Sequence, residues 1–156
     1  TALVFTRQNL PVLDRTALVS ANGVQRGGYV LWQAATPPDI IIIATGSEVH
    51  IALESGKMLQ EKSVAARVVS LPSWELFDSQ PLEYRNQVLP PEIKARISIE
   101  AASTLGWERY VGLEGIAIGL SRFGASAPAD VVYEKLGLTA QRVVDEAQRL
   151  LRGKKA

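Results

Sequence analysis

Residues 39–50 read DIIIIATGSEVH, and the four consecutive isoleucines constrain the fold more than any other feature. Successive side chains of a strand point to opposite faces, so a strand that is apolar at every position must be covered on both. Residues 40–45 form such a strand, and 66–71 and 96–101 share its two-sided apolar character. From Ser47 the apolar period becomes helical, with Val49, Ala52, Leu53, Gly56 and Leu59 on one face. Further strands are expected at 29–34 and 115–120, and further helices at 73–77, 81–89, 105–110, 128–136 and 139–151. The turn Thr36-Pro37-Pro38-Asp39 is too short for a crossover, so the strands on either side of it run antiparallel. Strands alternating with helices predict a three-layer αβα domain. Its sheet has five strands, mostly parallel, with one antiparallel.

The first 26 residues read differently. A short buried strand is expected at 2–6, ended by Leu10-Pro11, and Asn22-Gly23 and Gly27-Gly28 punctuate the stretch leading to the next strand. This places a closing strand of a preceding domain at 1–11, a linker at 12–26 and the α/β domain at 27–156. The chain opens without Met on an alternating apolar segment, and the expectation is a piece of a longer chain.

Composition narrows the chemistry. The absence of Cys removes disulfides, thiolate metal sites and a cysteine nucleophile, and fits a reducing, cytoplasmic-type compartment. Seventeen basic against sixteen acidic residues, with no cluster of either sign, give no footprint for nucleic acid. No apolar run approaches the ~20 residues that span a bilayer, so no membrane partner is expected.

The glycine turn of the opening stretch is a weak phosphate site. It has one glycine where a dinucleotide turn uses three, and it lacks a P-loop's Gly-Lys-Ser/Thr ending. Ser47 is expected to cap the helix, and Glu48, at the positive end of the helix dipole, would repel an anion. His50, the single histidine, has no second ligand in view for a metal. Glu100 ends a buried strand at the carboxyl edge, where open α/β sheets hold ligands; it is either functional or paired, for instance with Arg67 or Arg109. Trp74, Phe77, Trp107 and Tyr110 are expected to pack helices onto the sheet. Residues 124–128, GASAP, read as a loop leading into a helix or as a contact for a partner subunit. Arg7, at the junction of strand and loop, suits a phosphate or carboxylate, or a surface ion pair.

Six segments occur together, in order, across residues 2–151: ALVFTRQNLP, GGYVLW, DIIIIATGSEV, ARVVSLPSWELFDSQ, ARISIEAASTLGWERYVG and FGASAPADVVYEKLG. In this the chain resembles the carboxyl-terminal region of transketolases, and SWELFD and STLGW are most like plant, cyanobacterial and related bacterial members. The resemblance implies a homodimeric parent enzyme that depends on thiamine diphosphate and Mg²⁺ (or Ca²⁺). Such an enzyme moves a two-carbon ketol unit between sugar phosphates, in the pentose phosphate and Calvin pathways. It implies a cytoplasmic location, or the chloroplast stroma in a plant. The family's diphosphate and metal motif has no match here, so no cofactor is expected on this fragment. Its partners would be the remaining transketolase domains. One family position carries over: Arg7, in the S/T-R-Q segment, would bind the substrate's phosphate at the channel mouth. A regulatory α/β module using the crevice near Gly46, Glu100 and Gly124 is the alternative. So is the equivalent domain of a pyruvate dehydrogenase β-type chain or a deoxyxylulose-phosphate synthase.

Overall fold

The computed structural model describes residues 2–153 except Val4, Arg7 and Thr36. Five strands, β1 (Tyr29–Gln33), β2 (Ile40–Ala44), β3 (Ala66–Ser70), β4 (Arg96–Ile99) and β5 (Ile116–Ile118), form one sheet in the order β1-β3-β2-β4-β5. All pairings are parallel except β1 with β3. The expected αβα architecture is the one observed.

The isoleucine run sits at the centre of this sheet. Every residue of β2 is fully buried, because Ile40, Ile42 and Ala44 face one core while Ile41 and Ile43 face the other. The first core is covered by α1 (Val49–Glu61) and α6 (Ala140–Gly153), through Ala52, Leu59, Val143 and Ala147. The second is covered by α2 (Trp74–Asp78), α3 (Leu82–Val88) and α4 (Glu108–Val111), through Phe77, Val88, Trp107 and Tyr110. The predicted apolar face of α1 is buried throughout. α5 (Ala129–Leu136) follows Pro128 and ends on Gly137, whose φ of +70° suits a glycine C-cap.

β1 and β2 do run in opposite directions, but β3 lies between them. The short connection passes the start of β3, where the Asp39 amide donates to the Ala65 carbonyl and the Ala65 amide donates to Asp39 Oδ2, both at 2.7 Å. Of the strand expected at 2–6, the described residues Ala2, Leu3, Phe5 and Thr6 lie outside regular structure and are exposed, Phe5 by 81%. A lone strand has no partner for its amides and carbonyls and does not persist in water.

Two arginines bind the second helical layer to the sheet. Arg67 of β3 and Arg96 of β4 are both in register with Ile41 of β2, so they flank it on the same face. Arg67 donates to the carbonyls of Gln87 and Val88 at the end of α3, and to Gln33 Oε1. Arg96 donates to the carbonyls of Leu89, Pro90, Ile93 and Tyr110. Cations belong at a helix carboxyl end, where unpaired carbonyls carry the negative pole of the dipole.

Candidate functional site

The strand order defines where a ligand would bind. From β2 the chain crosses to β3 on one side, and from β3 it returns past β2 to β4 on the other. The crevice between the carboxyl ends of β2 and β4 is therefore the switch point of the sheet. Gly46 makes the turn there with a φ of +56°, a region that glycine enters without steric cost.

That crevice is bridged by the chain's own carboxylate. Glu48 is 3% exposed, and its Oε2 accepts the backbone N–H of Ala101, just beyond β4, at 3.0 Å. Its Oε1 accepts the Ser47 hydroxyl at 2.8 Å and the Tyr133 hydroxyl at 2.5 Å. The Tyr133 oxygen in turn accepts from Gln8 Nε2 at 3.0 Å. Burial first, and then the bond to Glu48, raise the Tyr133 pKa, so the phenol keeps the proton it donates.

Ser47 does not cap the helix as expected. Gly46–Glu48 forms a 3-10 turn ahead of α1, which puts Ser47 inside the turn with its hydroxyl directed to Glu48. Glu48 was legible as an anion-repelling residue, but its bond to Ala101 was not.

Glu100 stands beside this cluster, and among the described residues no arginine pairs with it. Its Oε2 accepts the indole N–H of Trp107 at 2.8 Å, Arg109 pairs with Asp78 at 2.9 Å, and Arg67 serves α3. Burial raises the Glu100 pKa most; the Trp107 bond opposes the rise, and the nearby Glu48 adds to it. The folded protein therefore holds this proton at pH values where the unfolded chain has released it. Its contribution to stability falls as pH rises through the window above the ordinary carboxylate range. Glu100→Gln, which can still accept from Trp107, is expected to raise Tm at about pH 7 and to leave it unchanged at about pH 4. Thermal unfolding at the two pH values checks this.

His50 is half-buried on α1 and lines a cleft of about 680 Å³ with Gln8, Asn9, Glu54, Tyr133 and Gln141. Among the described residues, no group of three or more His, Asp or Glu side chains could hold a metal ion. Gly46, Glu100 and Gly124 do not line this cleft. Residues 121–128 form an exposed loop ahead of α5. Trp74, Trp107 and Tyr110 pack edge to face, with the Trp74 and Trp107 centroids 5.2 Å apart, and Phe77 lies tilted against Tyr110. Arg7 lies outside the described residues. No described helix is long and apolar enough to cross a membrane.

An open α/β sheet whose switch-point crevice is bridged by an internal carboxylate defines a packing domain better than a nucleotide-binding one. A family model of the transketolase-like TK C-terminal domain matches residues 27–139. The chain is 48% identical over 151 residues to the chloroplastic transketolase of Craterostigma plantagineum, covering 96% of this chain and 28% of that protein. It is 43% identical over 150 residues to the transketolase of Staphylococcus epidermidis, covering 96% of this chain and 23% of that protein. Among solved structures, a Pichia stipitis transketolase in complex with sedoheptulose-7-phosphate matches at a TM-score of 0.84 and 38% identity. It covers 96% of this chain and 21% of that one. The chain belongs to the transketolase C-terminal domain family. It spans about a quarter of the length of the curated relatives.

Proposed function

We propose that this chain is the non-catalytic carboxyl-terminal part of a transketolase, the enzyme that transfers a two-carbon ketol unit between sugar phosphates. Residues 1–11 would close the preceding domain, 12–26 would link, and 27–156 would form the terminal domain. The observation that carries this reading is the agreement of sequence and fold with transketolases over nearly the whole chain. Exposed Leu3 and Phe5 support it, because the apolar side chains of a closing strand would be covered by the domain to which that strand belongs. A split-gene transketolase of similar fold, described as an inactive β4 tetramer, matches at 27% identity and a TM-score of 0.64. It supports a terminal part without activity of its own.

The parent's cofactor would be thiamine diphosphate with a divalent cation, its assembly a homodimer, and its location the cytosol or a plastid stroma. The residues present here do not fit the cofactor. At the switch-point turn a buried carboxylate, Glu48, stands where the diphosphate's negative oxygens would have to be received. The chemistry therefore belongs to the other domains of the parent.

Arg7 would be this chain's contact with substrate, its guanidinium forked on the sugar phosphate. Arg7→Ala in the full-length enzyme is expected to raise KM for phosphorylated substrates about tenfold or more and to leave kcat nearly intact, as lost ground-state binding does. Steady-state kinetics check it, and an unchanged KM contradicts the assignment.

A further inference from the structure

We propose that residues 8–19 are a strap fastened along the first helical layer, with the Tyr133 hydroxyl as its catch, so that the chain enters the domain through a stiff junction and not a hinge. The strap is a feature of this chain alone; only its consequence for a parent enzyme rests on the reading above.

Residues 8–19 contain no helix or strand, and three fastenings hold them. At the start, Gln8 Nε2 donates to the Tyr133 oxygen at 3.0 Å, across 125 positions of sequence. The catch is itself fixed, since the phenol donates to Glu48, whose oxygens also accept the Ser47 hydroxyl and the Ala101 N–H. In the middle, Leu13 and Leu18 are half-buried against the first core, and they share a groove of about 430 Å³ with Trp32 of β1 and Leu53 of α1. Val12 beside them is 97% exposed, so the segment turns only one side to the domain. At the end, the Val19 amide donates to the Leu31 carbonyl of β1 at 3.3 Å, and Arg15 donates to the Val19 carbonyl at 3.0 Å. β1 is an edge strand of the sheet, and its outward groups would otherwise be open to another chain.

Ordering an irregular segment costs backbone entropy at every residue, and two half-buried leucines with a few hydrogen bonds offset little more than that cost. The strap is therefore a unit of low stability that opens while the core stays folded. Each fastening then controls how often the whole segment is open.

Trypsin cleavage after Arg15, an exposed residue inside the strap, reads the open population when opening and closing are fast against cleavage. Gln8→Ala in this chain should raise the cleavage rate about fivefold, the size of one lost hydrogen bond, and Leu18→Ser about tenfold or more. Tyr133→Phe should match Gln8→Ala, and the double variant should be no faster, because both cut one link. Val12→Ser should change nothing. Hydrogen exchange at the Val19 amide should quicken in Gln8→Ala while Tm stays nearly constant. A full-length parent enzyme carrying Gln8→Ala should show the same rise in cleavage after Arg15. Equal cleavage rates in the unaltered chain, Gln8→Ala and Leu18→Ser would overturn the strap, and so would an effect of Val12→Ser as large as that of Leu18→Ser. Additive effects of Gln8→Ala and Tyr133→Phe would overturn the catch. A response in this chain with none in the parent would overturn the stiff junction alone. Ketol transfer enters none of these readouts, so failure of the strap and failure of the transketolase reading are told apart.

Discussion

Trp107→Ala is expected to destabilise the domain by about 3–5 kcal/mol, the range for removing a large buried aromatic. Trp107 is 1% exposed and stands between the sheet and the second helical layer, with Trp74 at 5.2 Å and Tyr110 at 6.0 Å between ring centroids. Truncation removes the ring that both neighbours pack against and leaves a void that the short α4 cannot fill by moving without breaking its link to Arg96. It also takes the indole donor from Glu100, leaving a half-buried carboxylate with less to favour its charge. The loss would consume a large part of the roughly 5–15 kcal/mol that holds a domain folded. Tm should fall by roughly 10 °C at this chain length. Trp107→Phe keeps most of the ring and loses the donor, and should cost only about 1–2 kcal/mol. Urea unfolding of the two variants separates packing from hydrogen bonding, and equal losses would contradict the division.

Arg96→Met should cost about 3 kcal/mol although it preserves the aliphatic stem. The guanidinium gathers four carbonyls from three pieces of chain: Leu89 and Pro90 after α3, Ile93 in the turn before β4, and Tyr110 in α4. Methionine offers none of these carbonyls a donor. Arg96→Lys should recover only part of the loss, since a point ammonium cannot span what a planar fork reaches. Burial lowers the Arg96 pKa and the charge of Glu92 opposes the shift, yet a guanidinium stays ionised across the working pH range. The penalty should therefore be nearly independent of pH. Denaturant midpoints across the neutral range check both the size and the flat profile.

The sheet was legible because its strands carry a local signal. Four isoleucines in a row can satisfy two cores only in a doubly covered strand, and the 3.6-residue period of α1 begins where that run ends. The strand order was not legible. Whether β1 pairs with β2 or is separated from it by β3 depends on where β3 inserts, and nothing in the TPPD turn records that. Ser47 misled for a related reason: a 3-10 turn ahead of α1 moved the helix start past it. Arg67 was expected only as a possible partner of Glu100, and no expectation fell on Arg96, because the carbonyls they serve come from α3, the turn after it and α4, across a layer. The link from Gln8 through Tyr133 to Glu48 joins residues 125 and 85 positions apart, and no spacing rule could reveal it. The phosphate role of Arg7 came from the family resemblance; its residue type alone favours a surface ion pair.

The central claim is that this chain belongs to a transketolase without carrying its chemistry. Titrating the isolated chain with thiamine diphosphate and Mg²⁺ in a calorimeter, alongside an assay of ketol transfer between sugar phosphates, tests it most directly. Only heats of dilution and no transfer are expected, because the buried carboxylate of Glu48 bridges the switch-point crevice and would repel a diphosphate there. A saturable exotherm, or measurable transfer by the chain alone, would contradict it.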